Sequence, residues 1–235
     1  MATVVPETRS TSSDGRPASQ TLDRGLRILE HVAESAAPLT VADVAAGVSM
    51  HRSITYRMLR TLEDHGLLAR DSQGRYQPGA GLAVLAGRFT PALRARAGRH
   101  LLHLAVATDK TAFLVVRHGD EAVAVEVVEP PAATAHVSYR PGLRHPVELG
   151  APGLALLAGE PPRPQERPEV TTARTLGWAY TESEVIMGFR AVSAPVIDNS
   201  GVCRGAISVV YAGPTDLDAL GDVVCRHARE LGAEL

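Results

Sequence analysis

Aromatic residues make up only 4% of this chain; cysteine appears twice, as Cys203 and Cys225, and lysine once, as Lys110. Scarce aromatics leave the cores to be built mainly from Ala, Val and Leu. Two cysteines with no Cys-x-x-Cys and no metal-ligand spacing exclude a disulfide framework and point to a reduced, cytoplasmic protein. No apolar run reaches the roughly 18 residues of a membrane-spanning helix. The first 19 residues lack the apolar centre of a secretory signal and are expected to form a disordered polar tail. Neither sign of charge dominates, the net charge being −2 over 235 residues. That excludes a generally basic nucleic-acid binder, so any such contact must come from a local patch. What remains, 45% hydrophobic and 21% charged residues, suits a globular chain with room for two modest domains.

The local patch lies in Ser49–Gly66, S-M-H-R-S-I-T-Y-R-M-L-R-T-L-E-D-H-G. Wound at about 100° per residue, Ile54, Thr55, Met58, Leu59 and Leu62 fall on one side. Arg52, Ser53, Tyr56, Arg57 and Arg60 fall on the other. A plain surface helix mixes acids with bases, but here Glu63 and Asp64 wait for the last turn. Guanidinium forks suit phosphates and guanine edges, and Ser and Tyr hydroxyls suit phosphate oxygens. The segment reads as a DNA recognition helix.

Its flanks fit that reading. Leu22, Leu26, Ile28, Leu29, Val32 and Ala33 mark a first helix starting near Thr21. Thr40-Val-Ala-Asp43 has the form of a capping box opening a short second helix, with Gly47-Val48-Ser49 as the turn and Ser49 as the expected N-cap of the recognition helix. Gly66 suits the far end. Leu67–Arg70, a Gly-containing turn, then Arg75–Gln77 give a hairpin placed as a wing. Thr40, His51, Arg70 and Arg75 join the outward face as candidate DNA contacts. Pro78-Gly79 closes this unit, and Leu82, Val84, Leu85 and Phe89 suggest an apolar linker helix.

Beyond Pro91 a helix is marked by Leu93, Ala97, Leu101 and Leu104. His100 and His103 stand three apart on it with no third ligand near in sequence, so no metal site is expected. The period then becomes two. Strands are expected over Thr111–Arg117, Ala122–Glu129, Thr134–Tyr139, Ala191–Ile197 and Val202–Val210. A short apolar helix covers Gly153–Ala158 and a last helix starts near Leu217. The stretch G-E-P-P-R-P-Q-E-R-P-E-V reads as non-helical. This order gives an α+β domain, an antiparallel sheet flanked by helices.

Two long segments resemble the IclR-family transcriptional regulators. One runs from L-D-R-G-L-R-I-L-E through H-R-S-I-T-Y-R-M-L-R-T-L-E-D-H-G-L-L-A-R. The other is G-W-A-Y-T-E-S-E-V-I-M-G-F-R-A-V-S-A-P-V-I-D-N-S-G-V-C-R-G-A-I-S-V, with a weaker match around Gly142-x-Arg144-x-Pro146. The resemblance implies a winged helix-turn-helix over residues 20–78, a linker helix over 79–91 and a GAF-like effector-binding domain over 92–235. It also implies a homodimer or dimer of dimers on a palindromic operator, with affinity set by a small molecule and no cofactor. The effector positions would be Glu148, Ala151, Pro152, Thr181, Ala191, Ser208 and Val210.

Several of these depart from the family pattern. Backbone amides hold small carboxylates at the positions of Ala151 and Pro152, yet Pro152 has no N–H. Asp, Cys, Ser and Ser are common at the positions of Thr181, Ala191, Ser208 and Val210, so two polar groups are missing. Glu148 and Leu154 replace a His and a Lys, His51 replaces a Pro at the recognition-helix start, and the helix expected before Gly177 gives way to the proline-rich stretch. Such a pocket implies a more apolar effector than a simple keto acid, or no effector at all. Two other classes fit the sequence less well. A sensor or scaffold that has lost DNA binding conflicts with the intact basic face. A hydrolase-like enzyme lacks a base near Ser208 or Cys203 and any paired-carboxylate or phosphate-loop motif. No catalytic residue is expected.

Overall fold

The computed structural model describes residues 19–87, 90–131 and 139–235, and these divide into two compact units between Thr90 and Pro91. The tail, Phe89 and the expected third strand, apart from Tyr139, lie outside the described residues.

In the first unit, α1 (Gln20–Glu34) starts on Ser19, whose hydroxyl accepts from the Leu22 amide. Only part of the sequence stripe is core. Ile28 and Val32 are buried, whereas Leu22 and Leu26 are exposed. The short helix α2 (Val41–Gly47) has the expected capping box, with Thr40 and Asp43 each satisfying the other's backbone amide. The recognition helix α3 spans Arg52–Asp64. Ser49 is not its N-cap: it takes a left-handed φ of 54° and reverses the chain, which moves the cap to His51. The His51 side chain makes no cap bond. Strands β1 (Leu68–Arg70) and β2 (Tyr76–Pro78) pair antiparallel, with Leu39 bridging to Tyr76. Helix α4 (Ala80–Ala86) follows and buries none of its residues. Ile28, Val32, Val44, Val48, Leu59, Leu68 and Tyr76 form the core.

The second unit is a six-stranded antiparallel sheet in the order β5-β4-β3-β8-β7-β6. Its strands are β3 (Thr111–His118), β4 (Glu121–Val128), β5 (Arg144–Pro146), β6 (Ala179–Glu182), β7 (Arg190–Ile197) and β8 (Cys203–Tyr211). Alternate residues face opposite ways. Leu114, Val192, Ile207 and Val209 share a core with α5 (Pro91–Thr108) and α8 (Leu217–Ala233). Phe113, Val115, Ala206 and Val210 share the other core with α6 (Gly150–Ala158) and α7 (Pro168–Leu176). Every residue of α6 is buried, which its all-round apolar sequence allows. Small side chains permit close approach: a Cβ on Gly153 would clash with the Val147 carbonyl.

Helix α7 corrects the reading of the proline-rich stretch. Pro168 does not forbid a helix because it stands at the first helical position, where no amide partner is needed and its fixed φ fits. Gly177, at φ 85°, ends that helix. Strand β6 had no separate signal in the sequence; four residues are too few for a clear alternation.

Candidate DNA interface and sensor pocket

The faces of α3 divide as its periodicity requires. Thr55 and Leu59 are buried, Ile54, Met58 and Leu62 are half-buried, and Arg52, Ser53, Tyr56, Arg57 and Arg60 are exposed. Thr55 turns its hydroxyl back to the His51 carbonyl, so its polar group is satisfied inside the core. Arg52 and Arg57 form no ion pair among the described residues, and His51 is exposed at the helix start.

The remaining candidates are already engaged. The Thr40 hydroxyl donates to Asp43 at 2.7 Å and holds the start of α2, helping to keep the Asp43 carboxyl below its ordinary value. Guanidiniums of Arg60 and Arg70 hold the Tyr56 phenol below its usual range. Arg70 also lies over the Tyr76 ring, 4.7 Å from its centroid, donates to the Tyr76 hydroxyl and pairs with Glu63 at 3.1 Å. Arg75 grips Asp71 through two nitrogens at 2.8 Å each. Asp71 also caps the wing turn by accepting from the Gln73 and Arg75 amides. The wing arginines are thus partly neutralised, and Arg70 ties the wing to α3.

In the second unit Thr181, Ala191 and Val210 stand side by side in one register row across β6, β7 and β8. With Pro152 they line a cavity of about 20 Å³ between the sheet and the start of α6. That volume admits about one water, so the pocket is filled by its own walls. Phe113, Tyr139, Ile186 and Phe189 contribute much of that filling, and the sequence reading missed all four. Phe113 was within reach, since it pairs in register with Ser208 on β8. The Phe113 and Tyr139 rings lie 3.9 Å apart, tilted by 32°. The buried Tyr139 hydroxyl has no hydrogen-bond partner among the described residues, and burial pushes its pKa up.

The amides at the start of α6 have internal acceptors. Ala151 donates to the Thr181 hydroxyl and Gly150 to the Glu184 carboxylate, each at 2.8 Å. Arg167 holds that carboxylate through two nitrogens at 3.0 and 3.1 Å, and this keeps Glu184 below the ordinary carboxylate range. Glu184 could not be found from sequence because its partners lie 17 and 34 residues away. Three of the sequence candidates, Ala151, Ser208 and Glu148, do not line the cavity. The Ser208 hydroxyl is bonded to Ser193 at 2.6 Å beneath α6. Glu148 lies instead at a neighbouring cleft of about 350 Å³, where its carbonyl accepts from Arg167. Burial also raises the Cys203 thiol to about 11, far from a reactive thiolate.

A winged helix-turn-helix followed by a helix-flanked antiparallel sheet defines a DNA-binding transcriptional regulator with a second, separate domain. Residues 21–72 match the IclR helix-turn-helix domain family model. The glycerol operon regulatory protein of Streptomyces griseus is 27% identical, over 91% of this chain and 97% of its own. The transcriptional regulator XynR of Escherichia coli K12 is 28% identical, over 82% of this chain and 86% of its own. Among solved structures, an IclR homolog from Microbacterium hydrocarbonoxydans complexed with 4-hydroxybenzoate shares the fold at a TM-score of 0.76. It is 22% identical and covers 92% of this chain and 99% of its own. An IclR regulator from Alicyclobacillus acidocaldarius gives a TM-score of 0.72 at 22% identity, covering 92% and 98%. The first unit carries an IclR-type helix-turn-helix domain, and most of the chain is similar to IclR-family transcriptional regulators.

Proposed function

We propose that α3 enters the major groove of a palindromic operator, with a homodimer presenting two copies. Arg52, Ser53, Tyr56, Arg57 and Arg60 make the contacts, and Arg52 and Arg57 lead. The observation that carries this reading is the outward face of α3, where the Arg52 and Arg57 guanidiniums stand about one and a half turns apart with no acidic partner among the described residues. His51 and the wing arginines contact the flanking backbone. The exposed apolar residues Leu22, Leu26, Val84 and Leu85 supply the surface for pairing within the DNA-binding unit. Fluorescence anisotropy on the promoter beside its own gene tests the assignment. Arg52→Ala and Arg57→Ala should each weaken specific binding at least tenfold. Wild-type binding with no sequence preference would overturn it.

The second unit acts as a sensor whose ligand enters between the sheet and α6 after Ile186 and Phe189 move outward. The ligand is mainly apolar, because Thr181 and Glu184 already occupy the amides that would receive a small carboxylate. Tyr139 supplies one polar contact. A neutral aromatic ligand such as a phenol, lacking the carboxylate of the 4-hydroxybenzoate that the Microbacterium neighbour is complexed with, stacks on Phe113 more readily than a keto acid does. Calorimetry with phenol, pyruvate and glyoxylate separates the two chemistries, and tight binding of either keto acid overturns the apolar assignment.

A further inference from the structure

Helix α8 brings two groups to His100 that lie more than 120 residues away in sequence. Nδ1 of His100 and Nδ1 of His227 face each other at 3.5 Å. Glu230 Oε2 stands 3.8 Å from each of them. His103, the neighbour that sequence spacing would pair with His100, is exposed and takes no part in the cluster.

We propose that His100, His227 and Glu230 form a binding site for one divalent ion of the zinc class, clamping the first helix of the sensor unit to its last. The geometry carries the assignment. A point equidistant from the three donor atoms lies about 2.1 Å from each, and zinc bonds to imidazole nitrogen and carboxylate oxygen run about 2.0–2.2 Å. Closing the triangle by a few tenths of an ångström gives the edges of a tetrahedron, about 3.3 Å for bonds of that length. Glu230 is half exposed, so the fourth position opens to water.

The surroundings fit a metal ligand as well. His100 is buried, and its other ring nitrogen, Nε2, lies 3.4 Å from Glu234 Oε1, a carboxylate that Arg99 also holds. A carboxylate there keeps the proton on Nε2 and leaves the Nδ1 lone pair aimed at the ion. Two facing Nδ1 atoms can share only one proton between them, whereas a cation satisfies both along with Glu230. Two imidazoles and one carboxylate favour zinc, cobalt or nickel over magnesium or calcium.

The test uses the full-length protein stripped with chelator. Cobalt is added while visible absorption is followed, and zinc uptake is measured by calorimetry. We expect one ion per chain, the visible bands of four-coordinate cobalt, and a zinc-dependent rise in melting temperature. His227→Gln and Glu230→Gln change partly exposed side chains and should fold, as circular dichroism will verify. Each should weaken zinc at least tenfold and abolish the melting shift. Glu234→Gln should weaken it by about 10- to 100-fold through the orientation of His100, and His103→Gln should change nothing. No uptake at one equivalent, or uptake unaffected by His227→Gln and Glu230→Gln, overturns the site; so does loss of uptake in His103→Gln.

Discussion

The salt dependence of operator binding should report how many charges α3 brings to DNA. Arg52, Arg57 and Arg60 are exposed on its outward face, so a dimer offers six guanidiniums. At about 0.9 of a logarithmic unit per neutralised phosphate, six contacts give a slope near −5 in a plot of log affinity against log salt. Raising salt from about 50 to 200 mM should then cost roughly a thousandfold in affinity. Arg57→Ala removes two of the six charges, and the slope should fall to about −3.6, so the same salt step costs roughly 150-fold. Arg96→Ala, an exposed arginine on α5, is the control and should leave the slope unchanged. Anisotropy titrations at four salt concentrations measure all three. A wild-type slope shallower than about −2, or equal slopes and equal affinities for wild type and Arg57→Ala, refutes the assignment of α3 as the charged DNA face. A lower affinity at constant slope in Arg57→Ala would instead place that guanidinium on a base edge.

Three further outcomes follow from the packing and the ion pairs. Leu154 is fully buried in α6, so Leu154→Ala should cost about 2–5 kcal/mol and lower the melting temperature by roughly 5–15 °C in a calorimetric scan. Glu166, chiefly through its bond to Arg174, is held down to about 2 from an ordinary 4.5, so its stabilising effect is complete above pH 4.5 and is lost as pH falls toward 2. Arg174→Ala should therefore be less stable than wild type at pH 7 in urea melts, and the gap should narrow steadily below pH 4.5; a gap independent of pH refutes the coupling. Replacing the exposed Val84 and Leu85 by Glu should shift the protein toward monomer in sedimentation velocity and weaken operator binding with it.

Local signals carried the DNA-binding unit almost whole. The capping box, the periodicity of α3 and the Gly-bearing wing turn each span fewer than twenty residues, and each is settled by backbone chemistry within that span. The one slip there, at Ser49, came from a turn residue that tolerates a left-handed φ and so could either cap or reverse the chain. The sensor unit was legible at the level of its strands and less so at its site. Thr181, Ala191 and Val210 were named by the family resemblance, and the pairing of β6, β7 and β8 puts them in one row. Glu184, Tyr139 and the His100 cluster depend on segments brought together by the sheet and by α8, and no periodicity encodes such meetings.

That difference bears on what the sensor can recognise. A helix start with open amides is a ready site for an anion. Here the chain fills it with its own carboxylate, and Arg167 balances that charge. A ligand carboxylate would have to displace Glu184, break two guanidinium bonds and leave Arg167 exposed to a new partner. An apolar ligand needs only to move Ile186 and Phe189, whose loop is joined to the sheet by the Ser183–Phe189 backbone bond and by Gly188 donating to Ser183. The lower-cost path is therefore the apolar one. Glu184→Gln tests the point directly: it keeps the hydrogen bond from Gly150 but removes the charge, so acetate or benzoate should bind the variant better than the wild type by calorimetry. Equal affinities for the two proteins would mean that Glu184 does not guard the start of α6.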